Sequence, residues 1–217
     1  MNGLRLFRAL AGVLALFPSG CATLKQASVP APPPPPNYFS PATPGEQLRR
    51  VALLPLHSET YPDQYVRRLD ATFHAELSKR ALFEVVPVSR AELEALFGER
   101  QFSSTDELPA DALKRLHEQC GVDGVIFTDL THFSPYRPVS MGIRTKLVAV
   151  STGQIRWAFD YVFDAGNSSV AEAAKRFQVA CSNEHQPLTT DGGSILQSPT
   201  RFAKYVASET YASLRQE

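Results

Sequence analysis

The sequence predicts an α/β (α+β) fold, a mixed β-sheet of about five strands with helices packed on it. Three observations predict this class. Short, nearly continuous apolar runs are typical of strands covered on both faces, and segments with apolar residues at helical spacing separate them. In the C-terminal half, two segments alternate apolar and polar residues, which predicts a long antiparallel hairpin with one covered face. The order β-α-β-α-α-β-β-β-α-α implies a mixed sheet.

The first strand and helix follow one another closely. The apolar run at 51–56 predicts a strand, and 63–80 predicts a helix. Apolar residues recur along that helix at helical spacing, namely Val66, Leu69, Phe73 and Leu77. Residues 83–88 predict a second strand, so the domain is expected to begin with a β-α-β unit.

Two short helices come next. Ser89 and Glu92 form a capping box, which predicts a helix start, and Gly98 predicts its end. A further helix opens at Pro109 and ends at Gly121. An apolar strand is then expected over 122–131.

The hairpin is predicted by two independent signals. Apolar residues occupy odd positions in both 139–150 and 154–164, so the loop must contain an odd number of residues to bring odd positions opposite each other. Loop 151–153 does this and places Gly153 where a type I turn with a G1 bulge requires positive φ. The pairs that this register predicts are Leu147–Trp157 and Ile143–Tyr161.

Two helices are expected to close the domain. Ser169 and Glu172 form a second capping box, which predicts a helix reaching about Ala180. After a polar loop, Ser198 is an N-cap candidate and Pro199 suits the first position of a closing helix.

Composition and charge exclude some functions. The chain has 217 residues, of which 43% are hydrophobic and 20% charged, as in ordinary globular proteins. Removal of a signal peptide carrying Arg5 and Arg8 leaves 20 basic and 22 acidic residues, a net charge of −2. No positive surplus remains for sequence-independent nucleic-acid binding, so no nucleic-acid partner is expected.

The N-terminus predicts an export signal over 1–20. Basic residues precede an apolar stretch too short to span a bilayer, which needs about 20 residues. Ser19-Gly20-Cys21 resembles the end of a bacterial lipobox, although Pro18 stands where that family usually has an aliphatic residue. The resemblance implies lipidation at Cys21, and Ala22 after it implies the outer membrane. A plain signal for soluble export is the alternative.

Residues 21–45 are predicted to form a lipidated tether. Eight of the 17 prolines lie between Pro30 and Pro44. Such a segment favours a semi-rigid polyproline II spacer that rises about 3.1 Å per residue. Residues 46–217 are then predicted to form a single α/β domain, which the lipid would hold at the membrane on the periplasmic side.

Four segments resemble a known superfamily. They are 51–56 (VALLPL), 83–90 (FEVVPVSR), 121–130 (GVDGVIFTDL) and 152–157 (TGQIRW). Together, behind a lipoprotein signal, they resemble the outer-membrane lipoproteins that include the curli secretion-channel protein (CsgG-like). Lipoprotein activators of penicillin-binding proteins and exopolysaccharide-export lipoproteins are related in fold. That channel builds its pore from two amphipathic membrane hairpins per subunit, whereas this chain offers one candidate, 139–164, whose aromatic ladder suits a core.

Catalytic motifs are absent from the sequence. There is no Gly-x-Ser-x-Gly elbow, phosphate-binding loop or dinucleotide fingerprint, and His117-Glu118 lacks the second histidine of a helical zinc motif. We therefore expect no enzyme activity, no cofactor and no metal. The rival interpretation is an envelope hydrolase that uses His132 or His185 with a nearby aspartate.

Two further sets of residues have alternative interpretations. Cys120 and Cys181 remain as thiols after lipidation of Cys21, and an oxidising envelope permits a disulfide between them. A buried free thiol is the alternative, since Cys120 lies on an apolar helix stripe. Tyr136 and Arg137 form a candidate partner contact, because aromatic and arginine residues are favoured in interfaces. A simple surface turn is the alternative.

The resulting functional prediction is a non-catalytic, membrane-anchored envelope lipoprotein. Its periplasmic domain would bind or assemble a partner complex in secretion, polysaccharide export or cell-wall synthesis, with a homo-oligomer as one such assembly. A soluble periplasmic ligand-binding module is the alternative if Cys21 is not lipidated.

Overall fold

The computed structural model describes residues 37–41, 47–184 and 193–215. The strands are β1 Asn37–Phe39, β2 Arg50–Leu53, β3 Glu84–Pro87, β4 Gly124–Ser134, β5 Ser140–Ala149 and β6 Ile155–Asp164. The helices are α1 Asp63–Ser78, α2 Arg90–Phe97, α3 Ala112–Cys120, α4 Ser168–Glu184 and α5 Pro199–Ala212, with a 3₁₀ turn at Ile195–Gln197.

The strands form one mixed sheet in the order β1-β6-β5-β4-β2-β3, which confirms the predicted fold class. β3, β2 and β4 run parallel, and β4, β5, β6 and β1 are antiparallel neighbours. The sequence predicted about five strands, and the sixth is β1. This strand lies inside the segment 21–45 that was assigned to the tether, and it pairs with β6 at the sheet edge.

Helices cover the sheet on both faces. On one face α1, α4 and α5 bury a large core against all but the outermost strands, with Phe73, Trp157 and Tyr211 at most 1% exposed. On the other face α2 and α3 cover a smaller core over β2, β3 and β4, where Leu93 and Phe127 are fully buried. The near-continuous apolar runs of β2 and β4 follow from burial on both sides.

The hairpin has the predicted register. Leu147 lies opposite Trp157 and Ile143 opposite Tyr161, and Gly153 has a φ of +67°. A register shift after Leu147 then sets Ile155 opposite Val148. The odd-numbered side chains of both strands accordingly enter the larger core, apart from Ile155.

Most helix ends follow local sequence rules. The Ser89–Glu92 capping box is present, and Gly98 and Gly121 end their helices with positive φ. Ser198 caps α5 through the backbone N–H of Arg201.

The start of α4 corrects one prediction. The helix begins at Ser168, not at a cap formed by Ser169. The Asn167 side-chain oxygen accepts hydrogen bonds from the backbone N–H and the hydroxyl of Ser169. Asn167 therefore takes the capping role, and Glu172 pairs with Lys175 at 2.9 Å.

Several sequence predictions fall outside the described residues. They are the signal peptide at 1–20, lipidation at Cys21 and a role for His185. None of the helices that the structure describes is both long and apolar enough to cross a membrane.

Candidate functional site

Among the residues that the structure describes, no helix covers β1 and β6 on the face of the smaller core. In strand pairing, directly opposed side chains point to the same face, so Phe39, opposite Ala158, shares a face with the neighbouring positions of β6 and β5. Phe39 and Val162 are 49% exposed there and Ile155 is 44% exposed. We call this surface the open sheet face, made of Phe39, Arg144, Ile155, Ala158, Asp160 and Val162.

An ion pair lies in the middle of the open sheet face. The Arg144 Nε donates to the Asp160 carboxylate at 2.9 Å, across the β5–β6 pair. That hydrogen bond raises the pKa of Arg144. Both side chains are about one-third to two-fifths exposed, so apolar groups surround a neutralised pair at the surface.

Lys146 marks the boundary between the open and covered parts of this face. Its ammonium lies 5.4 Å from the centre of the Phe127 ring, which belongs to the smaller core. Burial lowers the pKa of Lys146, while Asp129 and Asp106 oppose that shift. The smaller core therefore ends at a half-buried cation.

β1 joins the open sheet face to the segment predicted as a tether. The Tyr38 hydroxyl donates to the Ser213 carbonyl at 3.1 Å, and the Trp157 indole N–H donates to the Ser213 hydroxyl at 3.1 Å. These bonds connect β1 and β6 to the end of α5. The edge of the sheet that carries the open sheet face is therefore held to the end of α5.

Tyr136 and Arg137 lie in the loop between β4 and β5. Tyr136 is 80% exposed, and Arg137 is also exposed. Exposure suits a contact residue and a surface turn equally, so the predicted contact remains a prediction. The two residues belong to a loop and are not part of the open sheet face.

His132 lies near the same end of the β4–β5 pair. Its Nε2 lies 2.8 Å from the Ser140 hydroxyl. Asp164 is the residue opposite Ser140 on β6, and its carboxylate accepts from the Gly166 N–H. A catalytic triad needs the carboxylate on the far side of the histidine. The structure brings together a serine and a histidine but places this aspartate beside the serine.

A second group of serine, aspartate and histidine surrounds Asp129. The buried Asp129 carboxylate accepts from the backbone N–H of Ser104 at 2.9 Å and from its hydroxyl at 2.5 Å. The His57 Nδ1 lies 3.4 Å from the same carboxylate. The carboxylate lies between serine and histidine, so the histidine cannot act as base for this serine. The contacts attach the loop after α2 to β4.

Cys120 and Cys181 are free thiols. Cys120 packs against the smaller core, whereas α4, which carries Cys181, packs on the opposite face of the sheet through Val170 and Ala174. The disulfide considered above is therefore not formed in this fold. Burial raises the pKa of the Cys120 thiol, which makes it a poor nucleophile.

A cleft opens where the parallel strands β2 and β3 end. Leu53 lies opposite Pro87, and Val88 donates its N–H to the Leu53 carbonyl at 3.0 Å. Beyond this bond, the chain leaves β2 toward α1 on one face and leaves β3 toward α2 on the other. We call the space between them the β2–β3 cleft, with a volume of about 620 Å³.

One ion pair holds the walls of the β2–β3 cleft. Arg90, at the start of α2, donates to the Asp70 carboxylate on α1 and to the Leu56 carbonyl at 2.9 Å. Asp70 also accepts from the Leu56 N–H at 2.8 Å. The Arg90 side chain is 10% exposed. The two helices and the end of β2 are thus fixed to one another by charged hydrogen bonds.

Sequence reasoning missed both surfaces. The open sheet face depends on β1, whose three residues follow a proline tract. The β2–β3 cleft had a signal, because each of the runs 51–56 and 83–88 contains a proline, Pro55 after four apolar residues and Pro87 after two valines. Proline has no N–H to donate to a neighbouring strand. A proline near the end of each of two parallel strands therefore predicts that their pairing stops there and that the strands separate.

No group of three or more metal-ligating side chains occurs within the described ranges. No model of a known protein family matches the sequence, and comparison with curated proteins finds no relative.

Several solved structures are similar to this chain. The PelC dodecamer from Paraburkholderia phytofirmans is 12% identical with a TM-score of 0.48, covering 83% of this chain and 96% of that one. Lipoprotein GNA1162 from Neisseria meningitidis is 20% identical with a TM-score of 0.42, covering 61% and 97%. Protein XCC0632 from Xanthomonas campestris is 9% identical with a TM-score of 0.37, covering 81% and 86%.

Proposed function

We propose that this chain is a non-catalytic lipoprotein of the bacterial cell envelope. Lipid on Cys21 would anchor it to the outer membrane, and its periplasmic domain would bind a protein partner through the open sheet face. The partner complex would act in secretion, polysaccharide export or cell-wall synthesis, as the resemblance to CsgG-like lipoproteins implies.

The open sheet face is the observation that carries this proposal. Phe39 on β1 and Ile155 and Val162 on the neighbouring strand β6 are each 44–49% exposed. Exposed apolar side chains that share one sheet face around a polar pair suit a protein-interaction surface. Its central Arg144–Asp160 pair would add directional polar contacts without a net charge.

The anchor can be tested at Cys21. Substitution Cys21→Ala removes the thiol that would carry the acyl chains, so the protein should move from the membrane fraction to the soluble periplasmic fraction. Mass spectrometry of the wild-type N-terminal peptide should show a lipidated cysteine. An unmodified Cys21 in a soluble wild-type protein would contradict the anchor and favour the soluble ligand-binding module.

The interaction surface can be tested with matched variants. We would measure the native mass of membrane-extracted mature protein in mild detergent by light scattering, and cross-link the protein in intact cells. A homo-oligomer or a cross-linked partner is expected. Val162→Asp should abolish the oligomer or the cross-link. Val179→Asp should leave it intact, because Val179 is 61% exposed but lies on α4, away from the open sheet face. Equal loss in both variants, or a monomer without a cross-linked partner, would contradict the proposal.

The rival function is an envelope hydrolase, and the 2.8 Å contact between His132 Nε2 and the Ser140 hydroxyl is the observation that favours it. Purified protein would be incubated with wall and polysaccharide substrates. Release of product that is lost in both Ser140→Ala and His132→Ala would replace the non-catalytic proposal. His185, the other candidate base, would be tested by His185→Ala.

A further inference from the structure

We propose that the β2–β3 cleft binds a small anion that carries an apolar group, such as an organic phosphate or carboxylate. This site is separate from the open sheet face. It is formed by the parallel half of the sheet, whereas the open sheet face is formed by the antiparallel half.

The position of the cleft follows from the topology of the sheet. β2 is followed by α1 on the face with the larger core, and β3 is followed by α2 on the other face. Adjacent parallel strands whose connections leave in opposite directions create a crevice at their carboxyl ends, the usual ligand position in open α/β sheets. The volume of about 620 Å³ lies within the range of small-molecule sites, about 300–1,000 Å³.

The floor of the cleft is apolar. The residues buried beneath it are Leu53, Leu54, Pro55 and Val88. The apolar lining that is exposed to the cleft consists of Pro87 at the end of β3, Ala71 on α1 and Ala91 on α2. The two prolines offer no N–H donors. An apolar ligand group would therefore meet hydrocarbon there without leaving those two positions with an unsatisfied donor.

The charged walls are basic. Three arginines line the cleft, namely Arg67 from α1, Arg90 from α2 and Arg100 from the following loop, against a single acidic residue, Asp70. Asp70 is already compensated, because it accepts hydrogen bonds from Arg90 and from the Leu56 N–H. Arginines thus outnumber carboxylates three to one in the lining, and this composition favours an anionic ligand.

Arg100 has the freedom to reach such a ligand. Its side chain is 52% exposed and lies 3.4 Å from Glu94, which is 57% exposed. Ion pairs at this exposure contribute at most about 1 kcal/mol, so an anion in the cleft can compete for the guanidinium. The adjoining pocket of about 450 Å³ shares Arg90 and Arg100 but adds Glu94 and Glu99, which favours the cleft itself for an anion.

The test uses the mature, membrane-extracted protein and benzyl phosphate as the probe, with binding followed by ³¹P NMR in a phosphate-free detergent. Benzyl phosphate should bind and inorganic phosphate should bind more weakly. Benzyltrimethylammonium, titrated as a competitor, should not displace benzyl phosphate. Arg67→Gln with Arg100→Gln should weaken benzyl phosphate binding at least tenfold. Both positions are exposed, so the double variant should fold.

Arg137→Gln is the matched control, since Arg137 is an exposed arginine in the β4–β5 loop. It should leave benzyl phosphate binding unchanged. Absence of binding, equal loss in the control, or displacement by benzyltrimethylammonium would overturn the proposal. Inorganic phosphate binding as tightly as benzyl phosphate would also overturn it, because the apolar floor would then contribute nothing. The comparison between variants does not involve the open sheet face, and it can be made equally on protein from the soluble periplasmic fraction if Cys21 is not lipidated.

Discussion

Arg90 donates a charged hydrogen bond to Asp70, and this contact joins the start of α2 to the middle of α1. The two helices lie on opposite faces of the sheet, so the pair spans the crevice between the ends of β2 and β3. Both groups also bond the backbone of Leu56. One ion pair therefore fixes a strand end and both walls of the β2–β3 cleft.

Removal of Asp70 is expected to destabilise the protein. In Asp70→Ala, the guanidinium of Arg90, 10% exposed, loses its carboxylate partner and the Leu56 N–H loses its acceptor. Loss of one partner of a mostly buried pair should cost about 2–3 kcal/mol in the free energy of unfolding. Urea unfolding of the mature protein should show a lower midpoint at an unchanged slope.

Asp70→Asn provides the control for that prediction. The amide keeps an oxygen that can accept from the Leu56 N–H but loses the charge that Arg90 requires. We expect Asp70→Asn to lower the free energy of unfolding relative to wild type, but by less than Asp70→Ala does. If Asp70→Ala unfolds at the same urea concentration as wild type, the Arg90–Asp70 pair does not stabilise the folded protein and the prediction is wrong.

The two helix-ending glycines should differ in their tolerance of a side chain. Gly98 and Gly121 both have positive φ, which costs an alanine about 1–2 kcal/mol. A Cβ at Gly98 meets no atom within 4 Å, whereas at Gly121 it would lie 2.6 Å from Nη1 of Arg50. That nitrogen donates to the carbonyls of Cys120 and Gly121.

Gly121→Ala should therefore cost about 1 kcal/mol more than Gly98→Ala, because Arg50 must give up hydrogen bonds worth about that amount. Thermal unfolding of the two variants side by side measures the difference. If both variants lose the same stability, Arg50 moves aside without losing hydrogen-bond energy, and the prediction is wrong. A larger cost for Gly98→Ala would contradict the prediction.

The hairpin was predictable because every signal for it is local. Odd-numbered apolar positions, a three-residue loop and Gly153 all lie within 26 residues (139–164), and together they specify the pairing of Leu147 with Trp157. β1 had no comparable signal. Its three residues follow a proline tract and form a strand because they pair with the edge of β6, as Asn37 does with Asp160. That edge exists only in the folded protein.

The start of α4 and the β2–β3 cleft show two other limits. Asn167 and Ser169 are both good N-cap residues, and propensity alone does not separate them. In the cleft, Arg67, Arg90 and Arg100 come from two helices and a loop. That all three line one cleft depends on the handedness of the connections between parallel strands, which no single segment of the sequence contains.

Neighbouring residues of β6 offer a direct test of the open sheet face. Val162 is 49% exposed and Phe163 is 4% exposed, since successive side chains of a strand point to opposite faces. Val162→Ala should change the free energy of unfolding by no more than about 0.5 kcal/mol, whereas Phe163→Ala should cost about 3–5 kcal/mol. Chemical denaturation of both variants measures the difference. Comparable losses would show that Val162 is covered within the monomer.

The pH dependence of stability should include a contribution from Glu209 on α5. Burial raises the pKa of this carboxyl, and the charge of Arg176 opposes the shift only in part. The folded protein therefore holds the proton more tightly than the unfolded chain. This stabilising contribution is complete below the unfolded pKa, about 4.3, and is lost as the pH rises through the folded value. Glu209→Gln should make the protein more stable than wild type at pH 8, and the difference should shrink toward pH 4.

Glu172 on α4 is the matched control for Glu209. The hydrogen bond from Lys175 lowers the pKa of Glu172, whose side chain is exposed. Ionisation of Glu172 therefore favours the folded protein, whereas ionisation of Glu209 disfavours it. Glu172→Gln should not stabilise the protein at pH 8. Thermal unfolding of both variants at pH 4 and pH 8 separates the two cases. If Glu209→Gln is less stable than wild type at pH 8, the ionised carboxylate makes a favourable contact that outweighs the cost of its burial.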